Sequence, residues 1–471
     1  MIKMTVAEIA EIVAGKPSRL DPNLTISGKV EFDSRKVVPG DLFLAIRGAQ
    51  ADGHDYAEQA IAAGAIAVLA SRPVPTPSIM IEDPVAALTA LATAVAGKLS
   101  ATVVSVTGST GKTSTKDLIA QLLARRGSTV APPNSFNNEL GFPYTVLLAD
   151  ERTKYLVLET SARGIGHIRQ LTAIAAPQIA AVLNVGSAHL GEFGSVAAIA
   201  QAKGELVEAL PADGVAVLNA DDPAVLAMAA RTKARILTFG ERAGADIRAE
   251  DVRIDAAGRA SFVLVTEAGR ASVALTVRGD HQVSNALAAA GCAFSCGMGL
   301  AEVASALSAA TATSHWRMEV TETAAGVTVI NDAYNSNPES MRSALKSLAI
   351  LSEGRRGIAV LGVMAELGSE SLAAHDAVGR LVVRLDVAQL IAVGEQARPI
   401  ATGAALEGSW NGESEWVADN AAAGTRLREL LRAGDVVLIK GSRSTEMQRI
   451  AIELVEWLAS ARLDPASTGR P

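Results

Sequence analysis

Residues 102–113 read Thr102-Val103-Val104-Ser105-Val106-Thr107-Gly108-Ser109-Thr110-Gly111-Lys112-Thr113. An apolar, β-branched run leads into a glycine-rich loop ending in Lys-Thr, and a helical pattern, KDLIAQLLARRG, follows. That order places 107–113 at a strand-to-helix turn, where backbone N–H groups cradle a triphosphate at a helix N-terminus. Lys112 then reaches the β- and γ-phosphates, and the Thr113 hydroxyl faces Mg²⁺. The common pattern G-x-x-x-x-G-K-[ST] wants a glycine at 106, where this chain has Val106. The loop therefore points to ATP or GTP held by a less common phosphate-loop subtype; a tight turn without ligand is the alternative.

Composition sets the frame around this loop. The chain has 471 residues, 49% of them hydrophobic and 20% charged, which suits a globular protein of about three domains. A net charge of −7 and the lack of an arginine-rich stripe argue against a general nucleic-acid binder. No run approaches the ~18–20 apolar residues of a membrane span, and the N-terminal MIKMTVAEIAEIVAG is an acidic amphipathic pattern rather than a signal peptide. Cys292 and Cys296 are the only cysteines, too few for a zinc site or disulfide framework. A soluble cytoplasmic protein is the consistent expectation.

Three segments follow from the pattern. Residues 1–97 combine short strands (DLFLAI, AIAVLA, IMIE) with an alanine-rich helix and read as a small α/β domain. From 98 to 314, near-continuous apolar strands (ATVVSV, YLVLE, IAAVLNV, GVAVLN) alternate with helical stretches, the signature of a parallel sheet buried on both faces. Within it, 246–280 alternates with glycine turns and predicts a β-hairpin excursion. From 315 to 471 the alternation restarts as a second doubly wound unit, with a fraying tail from about 462.

Polar residues at strand ends carry the remaining chemistry. Glu159 closes YLVLE, where a carboxylate beside a phosphate loop completes an Mg²⁺ shell. His189 follows the next strand, and Lys203 lies in the helix AIAQAKGELVEAL; taken alone, each reads as an ordinary loop or solvated helix residue. Asn137 and Asn138, in PPNSFNNELGFP, are equally turn formers or ligands of Mg²⁺ or phosphate. The third segment puts Asn331, Asp332, Tyr334, Asn335 and Asn337 after one strand, and Lys440, Gly441, Ser442 and Arg443 after another. Such clusters line a site or face water, because burial without partners is costly. The two basic groups suit a carboxylate or phosphate.

Together these strings resemble the Mur ligases, the ATP-dependent amide-forming enzymes of peptidoglycan precursor synthesis. TGSTGKT is similar to that family's short phosphate loop, which lacks the first glycine. AHLGEFGSVAAIAQAKGEL resembles the stretch carrying a magnesium-binding histidine and a carbamylated lysine, here His189 and Lys203. DSRKVVPGDLFLAIRGAQADGHDYAEQAIAAGA is similar to the family's nucleotide-sugar domain, with Asp33, Ser34, Arg35, Gly53 and His54 on positions that bind or frame the UDP-sugar. NDAYNSNPES resembles the DDSYNANPxS of the branch that adds D-alanyl-D-alanine, and the DNPR motif of the branch that adds one diamino acid does not occur. Asn331 replaces the usual first Asp, and Gly362-Val363-Met364 replaces the usual G-D-M.

The resemblance implies three α/β domains: a UDP-sugar-binding domain, a central P-loop parallel-sheet ATPase domain and a C-terminal Rossmann-like domain. It implies a ligase joining D-Ala-D-Ala to the terminal carboxylate of UDP-MurNAc-tripeptide through an acyl phosphate, with addition of a single diamino acid as the alternative. The implied cofactors are ATP, two Mg²⁺ ions and carbamylated Lys203, with Thr113, Glu159 and His189 as the other metal ligands. Lys112, Glu159, His189 and Lys203 would serve catalysis. Asn285, Arg317 and Asp332 would contact the nucleotide, and Asn335, Asn337, Lys440 and Arg443 the dipeptide. A monomer working without nucleic-acid or membrane partners completes the expectation.

Overall fold

The computed structural model describes residues 1–48, 51–408 and 413–463, so most of the closing tail lies outside the described residues. Strand Thr102–Thr107 occupies an interior position in a nine-stranded sheet. It pairs in parallel with Tyr155–Glu159 on one side and Ile179–Val182 on the other. The sheet continues in parallel through Val215–Asn219, Arg235–Gly240 and Ile247–Ile254. Its far edge is antiparallel: Ile247–Ile254, Arg259–Thr266 and Gly269–Arg278 form a meander. The predicted hairpin excursion is thus three strands fused to the main sheet. Hydrogen-bonding continuity across Phe239–Ile247 draws the first of them into the ladder.

Side-chain alternation explains why the central strands read as unbroken apolar runs. Val104, Val106 and Val157 face helices Lys112–Ala124 and Gln282–Ser295. Val103, Leu156 and Leu158 face the other way, into a core shared with the N-terminal unit. There Met4, Ile9, Leu42, Leu44, Leu69 and helix Pro84–Lys98 meet Phe142 and Val146 from helix Gly141–Val146. The N-terminal unit has a five-stranded sheet of its own, yet its inner face has no core separate from the central sheet. Asp83 accepts from the N–H groups of Val85 and Ala86 and starts Pro84–Lys98, with Pro84 already fixed in helical φ.

The C-terminal unit is a six-stranded sheet in which only Glu319–Glu322 runs antiparallel. Alternating residues of Gly357–Leu361 supply two cores, Ala359 and Leu361 on one face and Ile358 and Val360 on the other. The carboxyl ends of Thr328–Asn331 and Val436–Lys440 lie side by side in parallel register, which brings the two polar strand-end clusters together. Among the described residues no helix is long and apolar enough to cross a membrane.

Because Phe142 is fully buried where two units share one core, Phe142→Ala is expected to cost about 3–5 kcal/mol. Calorimetry is expected to show the N-terminal and central units losing stability together. A loss confined to one of them would contradict the shared core.

Candidate functional site

The phosphate loop is shaped by close approaches. Gly111 has φ +80°, and a Cβ there would lie 2.5 Å from Oδ1 of Asn285. Helix Lys112–Ala124 begins directly after it, so the first-turn N–H groups lack partners within the helix and face the cleft. The loop is braced from the neighbouring strand end: Thr110 N–H donates to Oδ1 of Asn184 (2.9 Å), and Ser109 N–H to the Asn184 carbonyl (3.1 Å). Lys112 Nζ donates to the Gly108 carbonyl (2.8 Å), which folds the side chain back over the loop.

Glu159 is 1% exposed and surrounded by donors. Its Oε2 accepts from Thr113 Oγ1 (3.0 Å), and its Oε1 accepts from Ser135 Oγ (2.8 Å) and Asn137 Nδ2 (2.6 Å). Arg317 crosses from the C-terminal unit to donate from Nη2 to Thr113 Oγ1 (3.2 Å), while its buried Nε has no partner. An unpaired guanidinium N–H beside a phosphate loop is an anion-seeking group. Burial pushes the Lys112 ammonium below its usual range, Glu159 pulls it back up and Arg317 presses it further down.

The opposite wall comes from the C-terminal unit. Lys440, buried to 2% exposure, donates to Asp332 Oδ2 (2.6 Å) and to the Asn335 carbonyl (3.0 Å). Asp332 Oδ1 accepts the Met318 N–H (3.0 Å). Lys440 is thereby a strut under the 332–335 turn; burial lowers its ammonium and Asp332 opposes the change. Asn337 caps helix Pro338–Leu351 through the Ser340 N–H (2.8 Å), and its Nδ2 reaches the Ser109 carbonyl (3.5 Å). The Arg317 guanidinium stacks on the Tyr334 ring at 4.2 Å, and Arg443 stacks on Trp316 at 4.4 Å.

One cleft, with about 1070 Å³ of open space, is thus lined by Ser109 to Thr113, Asn137, Glu159, Asn285, Arg317, Asp332, Asn335, Asn337 and Lys440. Thr107 and Gly108 lie beneath it, with Thr107 Oγ1 donating to the Thr160 carbonyl (2.9 Å). His189 and Lys203 do not line it, but both lie near enough to Lys112 for its charge to lower their proton affinity. Read as a residue by itself, Lys203 is a solvated helix lysine; in the structure it is 6% exposed, because Ala202 and Leu206 of the same helix pack onto the sheet. It has no hydrogen bond or ion pair among the described residues, and burial drives its ammonium well below the usual range.

Other anticipated residues stand elsewhere. Asn138 accepts the Gly141 N–H (2.9 Å) just ahead of helix Gly141–Val146, and Arg443 lies outside the cleft, stacked on Trp316. Asp33 pairs with Arg35 (2.8 Å), which holds its carboxyl at about 2, below the usual range. Ser34 is buried and donates to Gln59 (3.4 Å). His54 accepts the Ser71 N–H at Nε2 (3.0 Å), so its Nδ1 donates to Asp52 (2.5 Å). A Cβ on Gly53 would lie 2.7 Å from the Ile46 nitrogen, so this position admits a close backbone approach. Ser135, Asn184, Gln282 and Tyr334 also line the cleft. Tyr334 belongs to the strand-end cluster the sequence marks; of the others only Asn184, a polar residue after an apolar strand, left a readable trace.

Comparison with known proteins covers all three units. The signature described as Mur ligase family, catalytic domain, matches residues 28–96. Mur ligase middle domain matches 106–293, and Mur ligase, glutamate ligase domain, matches 316–443. The UDP-N-acetylmuramoyl-tripeptide--D-alanyl-D-alanine ligase of Mycobacterium tuberculosis H37Rv is 50% identical over 97% of this chain and 98% of its own. The ligase of that name in Escherichia coli K12 is 35% identical over 97% and 99%. A crystal structure of MurF from Acinetobacter baumannii superposes with a TM-score of 0.83 at 30% identity, covering 96% of this chain and 99% of that one. MurF from Thermotoga maritima in complex with ADP gives 0.76 at 29% identity, covering 92% and 98%. The chain belongs to the Mur ligase family.

Proposed function

We propose that this protein joins D-alanyl-D-alanine to the terminal carboxylate of UDP-N-acetylmuramoyl-tripeptide at the expense of ATP, as the names of its full-length relatives indicate. The observation carrying this reading is one cleft with a phosphate loop on one wall and the 332–337 polar turn on the other. In our reading the three segments 1–97, 98–314 and 315–471 divide the work among UDP-sugar, ATP and dipeptide, and the protein acts as a cytoplasmic monomer.

Lys112 and the first-turn N–H groups of its helix hold the β- and γ-phosphates. The tripeptide carboxylate attacks the γ-phosphorus, ADP leaves, and an acyl phosphate forms. The dipeptide amine then attacks the acyl carbon, a tetrahedral intermediate collapses, and phosphate departs. Arg317, whose Nε is unpaired, supplies charge where negative charge accumulates. Asp332 and Asn285 contact the nucleotide. Asn335, Asn337 and Lys440 face the dipeptide or shape its pocket, and Arg443, outside the cleft, acts through its stacking on Trp316. Asp33, Ser34, Arg35, Gly53 and His54 bind or frame the UDP-sugar. Contacts to one nucleotide from two units favour closure before chemistry, which keeps water from the acyl phosphate.

The residues suit magnesium and a modified lysine. Thr113 and Glu159 already share a hydrogen bond (3.0 Å) and would hold one ion, with His189 and carbamylated Lys203 at a second. Bound Mg²⁺ would neutralise phosphate charge and polarise the transferred group. A buried amine without a partner beside Lys112 is costly as a cation. Its lowered proton affinity favours the neutral, nucleophilic form that carbon dioxide captures, and the resulting anion would balance Lys112.

Offered D-Ala-D-Ala, L-lysine or meso-diaminopimelate with a tripeptide nucleotide and ATP, the enzyme is expected to release phosphate and gain mass only with the dipeptide. A product carrying a single amino acid would overturn the assignment. For the carbamate, activity is expected to fall in carbon-dioxide-depleted buffer and return with bicarbonate. Lys203→Ala is expected to lose about 10²-fold or more in rate and to ignore bicarbonate. Wild-type activity indifferent to carbon dioxide would remove the carbamate from the reading.

A further inference from the structure

The loop carrying His189 is gripped from outside its own domain. Glu339, in the first turn of helix Pro338–Leu351, accepts the Ser187 N–H (2.9 Å) and the Ser187 hydroxyl (3.0 Å) at Oε1. On the other side of His189, the Glu366 carbonyl accepts the Gly191 N–H (3.0 Å), and the Glu366 carboxylate is in ion-pair contact with His189 Nδ1. Among the described residues, the only other charged group paired with that carboxylate is Arg163, at 3.9 Å.

Backbone geometry on both sides fits this grip. A Cβ on Gly186 would lie 2.8 Å from the Glu339 carboxyl carbon, and one on Gly191 would lie 2.7 Å from the Gly368 nitrogen. His189 and Glu366 both have left-handed backbones, with φ of +61° and +63°. For residues that are not glycine this conformation is sparsely populated and persists where surrounding contacts over-determine it. The Glu366 carboxylate touches Nδ1 without forming a hydrogen bond to it, so on this side the grip is close contact with the ring together with the Gly191 N–H bond to the Glu366 carbonyl. Neither glutamate lines the nucleotide cleft.

We propose that Glu339 and Glu366 are positioning residues: together they clamp the 186–191 loop, so that His189 is held in its working orientation only while the C-terminal unit is docked. The proposal rests on His189 serving the active site. Because the clamp joins two units, docking of the C-terminal unit and setting of His189 become one event.

The test uses the full chain with Glu339→Gln, Glu366→Gln and the conservative Glu366→Asp, read by amide hydrogen exchange and by kinetics. Glu339→Gln and Glu366→Gln are expected to raise exchange at the Ser187 and Gly191 amides at least tenfold, while strand Val215–Asn219 stays protected. Each is expected to lower kcat about tenfold with little change in the KM for the tripeptide nucleotide, and Glu366→Asp is expected to restore part of the loss. Unchanged exchange at 186–191 in both glutamine variants, or a kcat loss without it, would overturn the clamp. If Glu339→Gln does not fold, Ser187→Ala removes the hydroxyl donor alone and must lower kcat for the clamp to stand. A fully active His189→Ala would instead defeat the assignment of His189, with the exchange data still reporting on the clamp.

Discussion

A carboxylate sealed inside a protein must be surrounded by donors, and Glu159 sets the arrangement around it for that reason. Its two oxygens accept from Thr113, Ser135 and Asn137, groups contributed by two separate stretches of chain. The phosphate-loop helix, the 132–138 turn and the end of strand Tyr155–Glu159 are tied at one point. Arg317 then reaches the same Thr113 hydroxyl from another unit. Desolvation of a charge is repaid only when nearly every lone pair is satisfied, so these elements have little freedom to shift independently. The phosphate loop inherits its position from that constraint.

Cationic groups gather on the other side of the loop. Lys112 is half-buried and Lys203 buried; Lys112 lowers the proton affinity of Lys203 and His189, and Lys203 lowers that of His189 further. Lys440 differs, since Asp332 and two carbonyls surround it. One buried lysine is therefore a finished structural tie and another an unfinished electrostatic balance. That contrast distinguishes the two lysines more clearly than burial alone.

The sequence and the structure agree most closely where chemistry is local. The phosphate loop could be read because glycine, lysine and threonine sit in consecutive positions between a strand and a helix. Parallel architecture was readable because strands buried on both faces lose alternation. The fused three-strand edge was less so: 246–280 alternates as any exposed hairpin does, and only its register with Arg235–Gly240 joins it to the sheet. Lys203 shows the limit for single residues. Its helix reads as amphipathic, and nothing local says that the lysine lies on the packed side; family resemblance singled it out. Ser135, Glu339 and Glu366 gave no trace because their partners are 24, 152 and 177 residues away or belong to another unit.

The core shared by the N-terminal and central units bears on synthesis of the chain. As residues 1–98 leave the ribosome, Met4, Ile9, Leu42, Leu69 and Leu88, which share one core in the finished fold, emerge ahead of part of that core. Their counterparts Phe142, Val146, Leu156 and Leu171 come much later in the chain. Until they arrive, those side chains lack part of their cover, leaving exposed apolar surface of the kind chaperones bind. The first domain made is thus completed only by residues of the second.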